Sequence, residues 1–286
     1  MASLKVIRRR ISSVRSTQQV TKAMKMVSAA KLRRARASVE ASRPYAEKLS
    51  TLLARLAASA GENAHPFLRE YEQGKSHVVI LTSDRGLCGG YNTNLIRKAG
   101  DFLNSQEGSD TDITVCGRRG YDHFSKQDLE IAVSHINRSG GLDLDLAREV
   151  AVDVSRRFET SQASAVYLVY SRFHSAISQT PVVERILPVD ASDQSTPDES
   201  REYLYEPDCG SILDSLLPRY VETRIFGAML EATASEHGSR MTAMDSASRN
   251  ARDMIDRLTL EMNRARQAAI TKELMEIISG AEALNG

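Results

Sequence analysis

MTAMDSASRNARDMIDRLTLEMNRARQAA, residues 241–269, carries apolar or small side chains at alternating steps of three and four over four heptads. These positions are Met241, Met244, Ser248, Ala251, Ile255, Leu258, Met262, Ala265 and Ala269. A helix with this spacing presents one continuous stripe along its length, which is typical of a coiled coil. A stripe this long needs a partner helix to cover it.

The start of the chain offers that partner. Residues 4–56 contain no glycine and one proline, Pro44, which could end or bend a helix. Residues 212–284 are similarly helix-compatible, so the two rods span roughly 80 and 110 Å at 1.5 Å per residue. The N-terminal stripe begins with Leu4, Ile7, Ile11 and Val14, continues with Met24 and Val27, and has Leu32, Ala35 and Val39 behind it.

We expect the two rods to pair antiparallel, because both join the middle of the chain by their inner ends. Placing Leu56 near Cys209 puts Leu4 opposite about Glu261. The C-terminal helix then extends past its partner, and its last turns, rich in Ile, Leu and Met, are too apolar to stand alone in water.

The middle of the chain alternates apolar runs with amphipathic ones. We predict strands near residues 77–82, 113–116, 129–133, 165–170 and 182–188, and helices at 92–104, up to 124 and at 142–159. This order predicts a Rossmann-like α/β domain with a mainly parallel sheet. The predicted domains are an N-terminal coiled-coil helix (1–60), the α/β domain (61–207) and a C-terminal coiled-coil helix (208–286).

Catalytic patterns are missing from this sequence. The turn GLCGG at residues 86–90 follows a strand, but Tyr91 and Asn92 stand where a phosphate-binding loop needs Lys and Ser or Thr, so a tight strand–helix turn is favoured. The three cysteines are far apart, and the six histidines lack ligand spacing. Ser83 and Ser171 lack the flanking glycines of a nucleophile elbow. We expect no catalytic residue, no metal and no cofactor.

Charge is strongly uneven along the chain. Up to residue 48, thirteen Lys and Arg face two Glu, a net +11 that leaves −10 for the rest of a chain whose formal charge is +1. A basic arm seeks an anionic partner, so a basic coiled-coil nucleic-acid-binding protein is the alternative function. The arm's apolar stripe and its lack of interleaved aromatics argue against that alternative. Without a run of 18 apolar residues or a secretory signal, we expect a complete cytosolic chain.

Three groups of motifs resemble one family from end to end. They are ISSV, TKAMKMV and SRPY at 11–14, 21–27 and 42–45; TSDRGLCGGYN at 82–92; and RYVE, EHGSRM and ARQAAITKEL at 219–222, 236–241 and 265–274. The chain resembles the gamma subunits of bacterial F-type ATP synthase. The resemblance implies a non-catalytic central-stalk rotor that transmits torque between a membrane ring and catalytic beta subunits.

The same resemblance implies partners and site residues. The partners are the alpha, beta and epsilon subunits and the c-ring, with no nucleic acid, at the cytoplasmic face of the bacterial inner membrane as a peripheral protein. A patch of Arg266, Gln267 and Thr271 would bind a beta subunit, although Arg266 also fits a solvated helix residue. Met24 and Lys25 match a position that affects coupling, and Met24 also fits simple packing in the stripe. The foot that touches the ring and epsilon would be Tyr203, Leu204, Tyr205 and Glu206.

Overall fold

The computed structural model describes residues 4–60, 65–71, 74–106, 111–127, 129–138, 143–189 and 208–285. The chain divides into two compact units. We call residues Met1–Val27 and Met241–Gly286 the helical unit, and residues Ser28–Arg240 the sheet unit. The domain boundaries predicted at 60/61 and 207/208 remain predictions.

The long terminal helices are α1, Leu4–Ala60, and α5, Cys209–Asn285, and each contributes residues to both units. Pro44 lies inside α1 and therefore does not end it; Pro218 lies inside α5. In the sheet unit the Cys209 thiol donates to the Leu56 carbonyl at 3.7 Å, which confirms the predicted neighbourhood of these two residues and the antiparallel pairing of the helices.

The sheet has five strands, as the sequence predicts. They are β1 (Lys75–Leu81), β2 (Thr111–Cys116), β3 (Glu130–His135), β4 (Ala163–Phe173) and β5 (Gln179–Leu187), in the spatial order β3-β2-β1-β4-β5. The first four are parallel, and β5 pairs antiparallel with β4 as an edge strand. The predicted mainly parallel sheet is therefore confirmed.

Helices cover both faces of the sheet. The connecting helices are α2 (Tyr91–Ser105), α3 (Arg118–Phe124) and α4 (Leu144–Glu159), with a short 3-10 turn at Pro66–Leu68. Every residue of β1 from Ser76 onward is buried, because a parallel strand in this position is packed on both sides. One core lies against α2 and α3, where Val78 and Ile80 meet Leu95 and Phe124.

The opposite core lies against α4 and the inner parts of α1 and α5. Its members include Leu53 of α1, Val150 of α4 and Val221 of α5, which pack with Val79 and Leu168 of the sheet. On α4, Leu146, Val150 and Val154 are buried on one face of the helix. The inner parts of α1 and α5 therefore belong, together with α4, to the helical layer that covers this face of the sheet.

Candidate coupling and partner-binding surfaces

In the helical unit, the predicted stripe of α5 is the shielded face of the helix. Met244 and Ala251 are buried, and the other predicted positions from Met241 to Ala269 are half-buried. On α1, Ile7 and Ile11 are buried, at 2% and 8% exposure. Burial on both helices at heptad spacing confirms that they form a coiled coil in this unit.

One predicted stripe position is wrong. Val27 is 57% exposed, because the alternating step from Val14 passes through residues 18, 21 and 25 and leaves residue 27 on the flank. The shielded positions in this stretch are Gln18, Thr21, Met24 and Lys25, with Thr21 at 8% exposure and the other three half-buried. The N-terminal stripe is therefore apolar up to Val14 and mixed from Gln18 to Lys25, and the predicted positions Leu32, Ala35 and Val39 farther along α1 are buried.

Met24 and Lys25, the predicted coupling residues, lie in this mixed stretch and are both half-buried. The Lys25 ammonium donates to Asp245 Oδ1 at 2.5 Å, and Arg249 Nη2 lies 3.4 Å from the other oxygen of the same carboxylate. The hydrogen bond from Lys25, aided by both positive charges, lowers the pKa of Asp245. Lys25 is thus a contact between α1 and α5, a role that its place in the sequence did not reveal.

Arg266, Gln267 and Thr271, the predicted beta-subunit patch, are all exposed on α5. Counting outward from the Lys25–Asp245 pair in an antiparallel coiled coil places Leu4 opposite about Arg266, rather than opposite Glu261 as expected. The patch therefore begins close to the level where α1 starts.

Beyond that level α5 presents apolar side chains to solvent. Five of them are between 50% and 68% exposed: Ile270, Leu274, Met275, Ile277 and Ile278. The predicted uncovered apolar end of α5 is therefore present. Soluble proteins seldom leave such a row of large side chains uncovered unless it binds a partner.

The predicted foot, Tyr203, Leu204, Tyr205 and Glu206, lies outside the described residues. The structure therefore places none of these side chains.

In the sheet unit, the turn after β1 is a set of interlocking hydrogen bonds. The Ser83 amide donates to Asn92 Oδ1 at 3.1 Å, and Asn92 Nδ2 donates back to Ser83 Oγ at 2.9 Å. Asp84 Oδ1 accepts from the amides of Arg118, at 2.9 Å, and Asn137, at 3.1 Å. Asp84 thus joins the carboxyl ends of three parallel strands, and its side chain serves structure rather than a ligand.

Helix α5 closes over this turn through Arg240. Its Nη2 group donates to the carbonyls of Arg85 and Gly86 at 3.4 and 3.3 Å, and its Nη1 group lies 2.6 Å from Glu236 Oε1. His237 lies beside the guanidinium, with Nδ1 3.3 Å from Nη1. Burial, together with the charges of Arg240 and a nearby lysine, lowers the pKa of His237 to about 4. The imidazole is therefore neutral and able to accept from Arg240.

The hairpin between β4 and β5 also packs against α5, beside Gly238 and Ser239. A Cβ on Gly238 would lie 3.3 Å from the Ala176 carbonyl oxygen, so the close approach of the hairpin favours glycine here. The next hydroxyl, of Ser239, donates to Gln179 Oε1 at 3.0 Å. In open α/β sheets the carboxyl ends of the central strands are the usual ligand site. Residues 236–240 of α5 occupy that place here.

Near the amino ends of β1 and β2, three buried side chains are connected in the order carboxylate, imidazole and hydroxyl, as in a catalytic triad. His77 Nδ1 is 2.6 Å from Asp112 Oδ1, and His77 Nε2 is 3.0 Å from Thr114 Oγ1. Burial raises the pKa of Asp112, but hydrogen bonding to His77 and the Arg157 charge outweigh it, so the pKa is lowered. His77 and Thr114 are inaccessible to substrate, at 0% and 1% exposure. The group ties α4 to β1 and β2.

Two of the three cysteines are also inaccessible. Cys88 and Cys116 are buried, and burial raises the pKa of the Cys116 thiol to about 12. Within the described part of the chain, no three His, Cys, Asp or Glu side chains are grouped so that they could hold a metal ion. Among the described helices, none has an apolar stretch long enough to span a lipid bilayer.

Comparison with known proteins agrees with this architecture. A family model described as ATP synthase matches residues 3–284. The ATP synthase gamma chain of Desulforamulus reducens is 46% identical over 284 residues, covering 99% of this chain and 100% of the relative. That of Geobacter metallireducens is 47% identical over 288 residues, covering both chains completely.

Solved structures show the same fold. A chain of the Euglena gracilis mitochondrial ATP synthase, in a structure of its OSCP, F1 and c-ring, has a TM-score of 0.67 at 20% identity and covers 98% of this chain and 94% of its own. A second match is a chain in a structure of the central stalk and c-ring of the Tetrahymena thermophila mitochondrial ATP synthase. Its TM-score is 0.60 at 24% identity, and the match covers 80% of this chain and 99% of the Tetrahymena chain. With its full length matched by gamma chains at almost half identity, this chain belongs to the ATP synthase gamma chain family.

Proposed function

We propose that this chain is the central-stalk rotor subunit of a proton-translocating F-type ATP synthase, which transmits torque between a membrane ring and the catalytic beta subunits. The observation that carries the proposal is the uncovered apolar end of α5, from Ile270 to Ile278. A rotating tip needs a surrounding sleeve that excludes water but does not hold the tip at one angle. Apolar contact meets that need, because burial and dispersion are not directional.

The subunit's partners follow from the same proposal. The alpha and beta subunits form the sleeve, and the epsilon subunit and c-ring bind the sheet unit. The complex lies at the cytoplasmic face of the bacterial inner membrane, with this chain peripheral. The gamma chains and rotor structures that resemble this chain support that assignment and give no support to the nucleic-acid-binding alternative.

The chain itself acts without catalysing a reaction, and ATP chemistry belongs to the beta subunits. In support, the nucleophiles and histidines described above are buried or bonded within the fold, and α5 fills the usual ligand cleft of the sheet. Arg266, Gln267 and Thr271 bind an acidic surface of a beta subunit. Met24 and Lys25 act in coupling, and Tyr203, Leu204, Tyr205 and Glu206 contact the ring and epsilon.

Reconstitution tests the function. The purified chain is expected to lack ATPase activity and to form an ATP-hydrolysing complex when mixed with alpha and beta subunits. A failure to co-purify with them would remove the rotor assignment.

The beta-subunit patch has its own test. In the assembled complex, replacing Arg266 and Gln267 together by Ala is expected to slow ATP turnover, because two exposed donors to the beta subunit are lost. Arg257→Ala is the matched control, since Arg257 is exposed on the same helix within the stretch that pairs with α1. Equal turnover in the two variants would contradict the patch but leave the rotor function standing.

A further inference from the structure

We infer that Asp245 is a positioning residue for rotary coupling: its ion pair with Lys25 fixes the register of α1 against α5 where polar side chains enter their shared surface. The inference rests on the proposed rotor function. It assigns to Asp245 a role that no motif in the sequence indicated, and it explains Lys25 through a partner 220 residues away.

The coiled coil of the helical unit has two different halves. Between Leu4 and Val14, α1 presents apolar side chains, and Ile7 and Ile11 are nearly or fully buried. Such packing holds two helices together but discriminates weakly between neighbouring registers, because apolar contact is not directional.

Toward Lys25 polar side chains enter the shielded face of α1. Its shielded positions are Gln18, Thr21, Met24 and Lys25, and the Thr21 hydroxyl donates to the Gln18 carbonyl of its own helix at 3.0 Å rather than to α5. This half therefore has a weaker apolar contact than the first, because Met24 is the one apolar side chain among these four positions. A single polar contact at a stripe position is the device by which coiled coils fix register, at a cost in stability.

Lys25 and Asp245 supply that contact. Within residues 4–27 and 241–281, theirs is the one ion pair that joins α1 to α5. At 2.5 Å the ammonium and the carboxylate are in direct contact, which opposes sliding of the two helices past each other at this level. Counting outward from it places Ile11 opposite about Thr259 and Ile7 opposite about Asn263, each one residue from the stripe positions Leu258 and Met262, so the pair is compatible with the register of the buried stripe.

The size of the effect follows from exposure. The side chains of Lys25 and Asp245 are 43% and 33% exposed, so losing the pair should change the balance between neighbouring registers by only about two- to five-fold. That is too little to unfold the protein. In a shaft that turns under load, however, a fraction of molecules with slipped register would hydrolyse ATP without moving protons in step.

The test uses the assembled synthase in membrane vesicles and measures protons pumped per ATP hydrolysed. Lys25→Glu and Asp245→Lys each place like charges together, and each is expected to lower this ratio measurably below that of the unmodified complex. The double exchange, which restores an opposite pair, is expected to recover most of it. Asp253→Lys is the matched control, because it makes the same change on an exposed position of the same helix and should leave the ratio unaltered.

Neutral variants keep the test decisive if charge reversal prevents assembly. Lys25→Gln and Asp245→Asn should each lower the ratio, and combining them should lower it no further, since both remove one interaction. Ratios equal to the unmodified complex, or a double exchange as poor as either single one, would overturn the inference. If the unmodified complex itself fails to pump, the rotor function fails instead.

Discussion

Replacing Arg240 by Met removes the charge that fastens α5 to the turn after β1 while keeping most of the side chain's apolar volume. The Arg240 and Glu236 side chains are 10% and 19% exposed, so the pair is largely buried. Breaking a fully buried pair costs about 3–5 kcal/mol, because the remaining charge is left uncompensated. Partial access of water to Glu236 reduces that figure, and the carbonyls of Arg85 and Gly86 lose their donor. We expect a loss of about 3 kcal/mol.

Thermal unfolding measures this loss. For a chain of this size, each kcal/mol lowers the Tm by about 2–4 °C, so Arg240→Met should melt roughly 6–12 °C lower. The chain has no tryptophan, so far-ultraviolet circular dichroism is the appropriate signal. Arg252→Met, at an exposed position of the same helix, is the control and should cost less than about 0.5 kcal/mol.

A double variant separates charge from packing. Adding Glu236→Gln to Arg240→Met removes the uncompensated carboxylate and should recover part of the lost stability. If Arg240→Met melts within 1–2 °C, roughly, of Arg252→Met, the ion pair is a solvated surface contact and the argument from burial is refuted.

Three further outcomes follow from the same region and from the core. Folding lowers the pKa of His237 to about 4, so the free energy of unfolding is highest above the ordinary pKa of histidine and falls as the pH drops toward 4. His237→Gln should reduce this loss of stability by about 1 kcal/mol, as measured by chemical denaturation at several pH values. Gly238→Val should lower the Tm, since its side chain would press on the Ala176 carbonyl, whereas Gly227→Ala, which has open space, should not. Cys116 should resist alkylation until the protein unfolds, as followed by mass spectrometry, because burial raises its pKa to about 12.

Much of the fold was predictable from periodicity. The three-and-four alternation from Met241 to Ala269 is a property of one continuous helix, so the sequence alone identifies its shielded face. The strands were predictable because buried parallel strands are continuous apolar runs, as in β1. Val27 departs from the predicted stripe because the helical step from Val14 passes through Lys25 and leaves Val27 on the exposed flank.

Contacts between distant residues were not predictable in the same way. Lys25 meets Asp245 across 220 residues, and Arg240 meets Arg85 across 155, so no local pattern links either pair. A single sequence shows which side chains are charged but gives no indication of which opposite charge lies near each of them. The motif residues at 83–92 and 236–240 illustrate this limit: the structure shows them bonded to one another, whereas their order in the chain suggested only a tight turn and a helix.

The two kinds of contact in the helical unit suit different mechanical tasks. Ile7 and Ile11 resist separation of the helices but tolerate small displacements, whereas the Lys25–Asp245 pair resists displacement but adds little to stability. A shaft made only of apolar contacts would hold together yet slip, and one made only of ion pairs would be aligned yet weak in salt. Past the start of α1, side chains such as Ile270 and Ile278 have no helix to hold. There, apolar contact that tolerates displacement becomes the useful property, because a tip that turns inside its sleeve must contact the sleeve equally well at every angle.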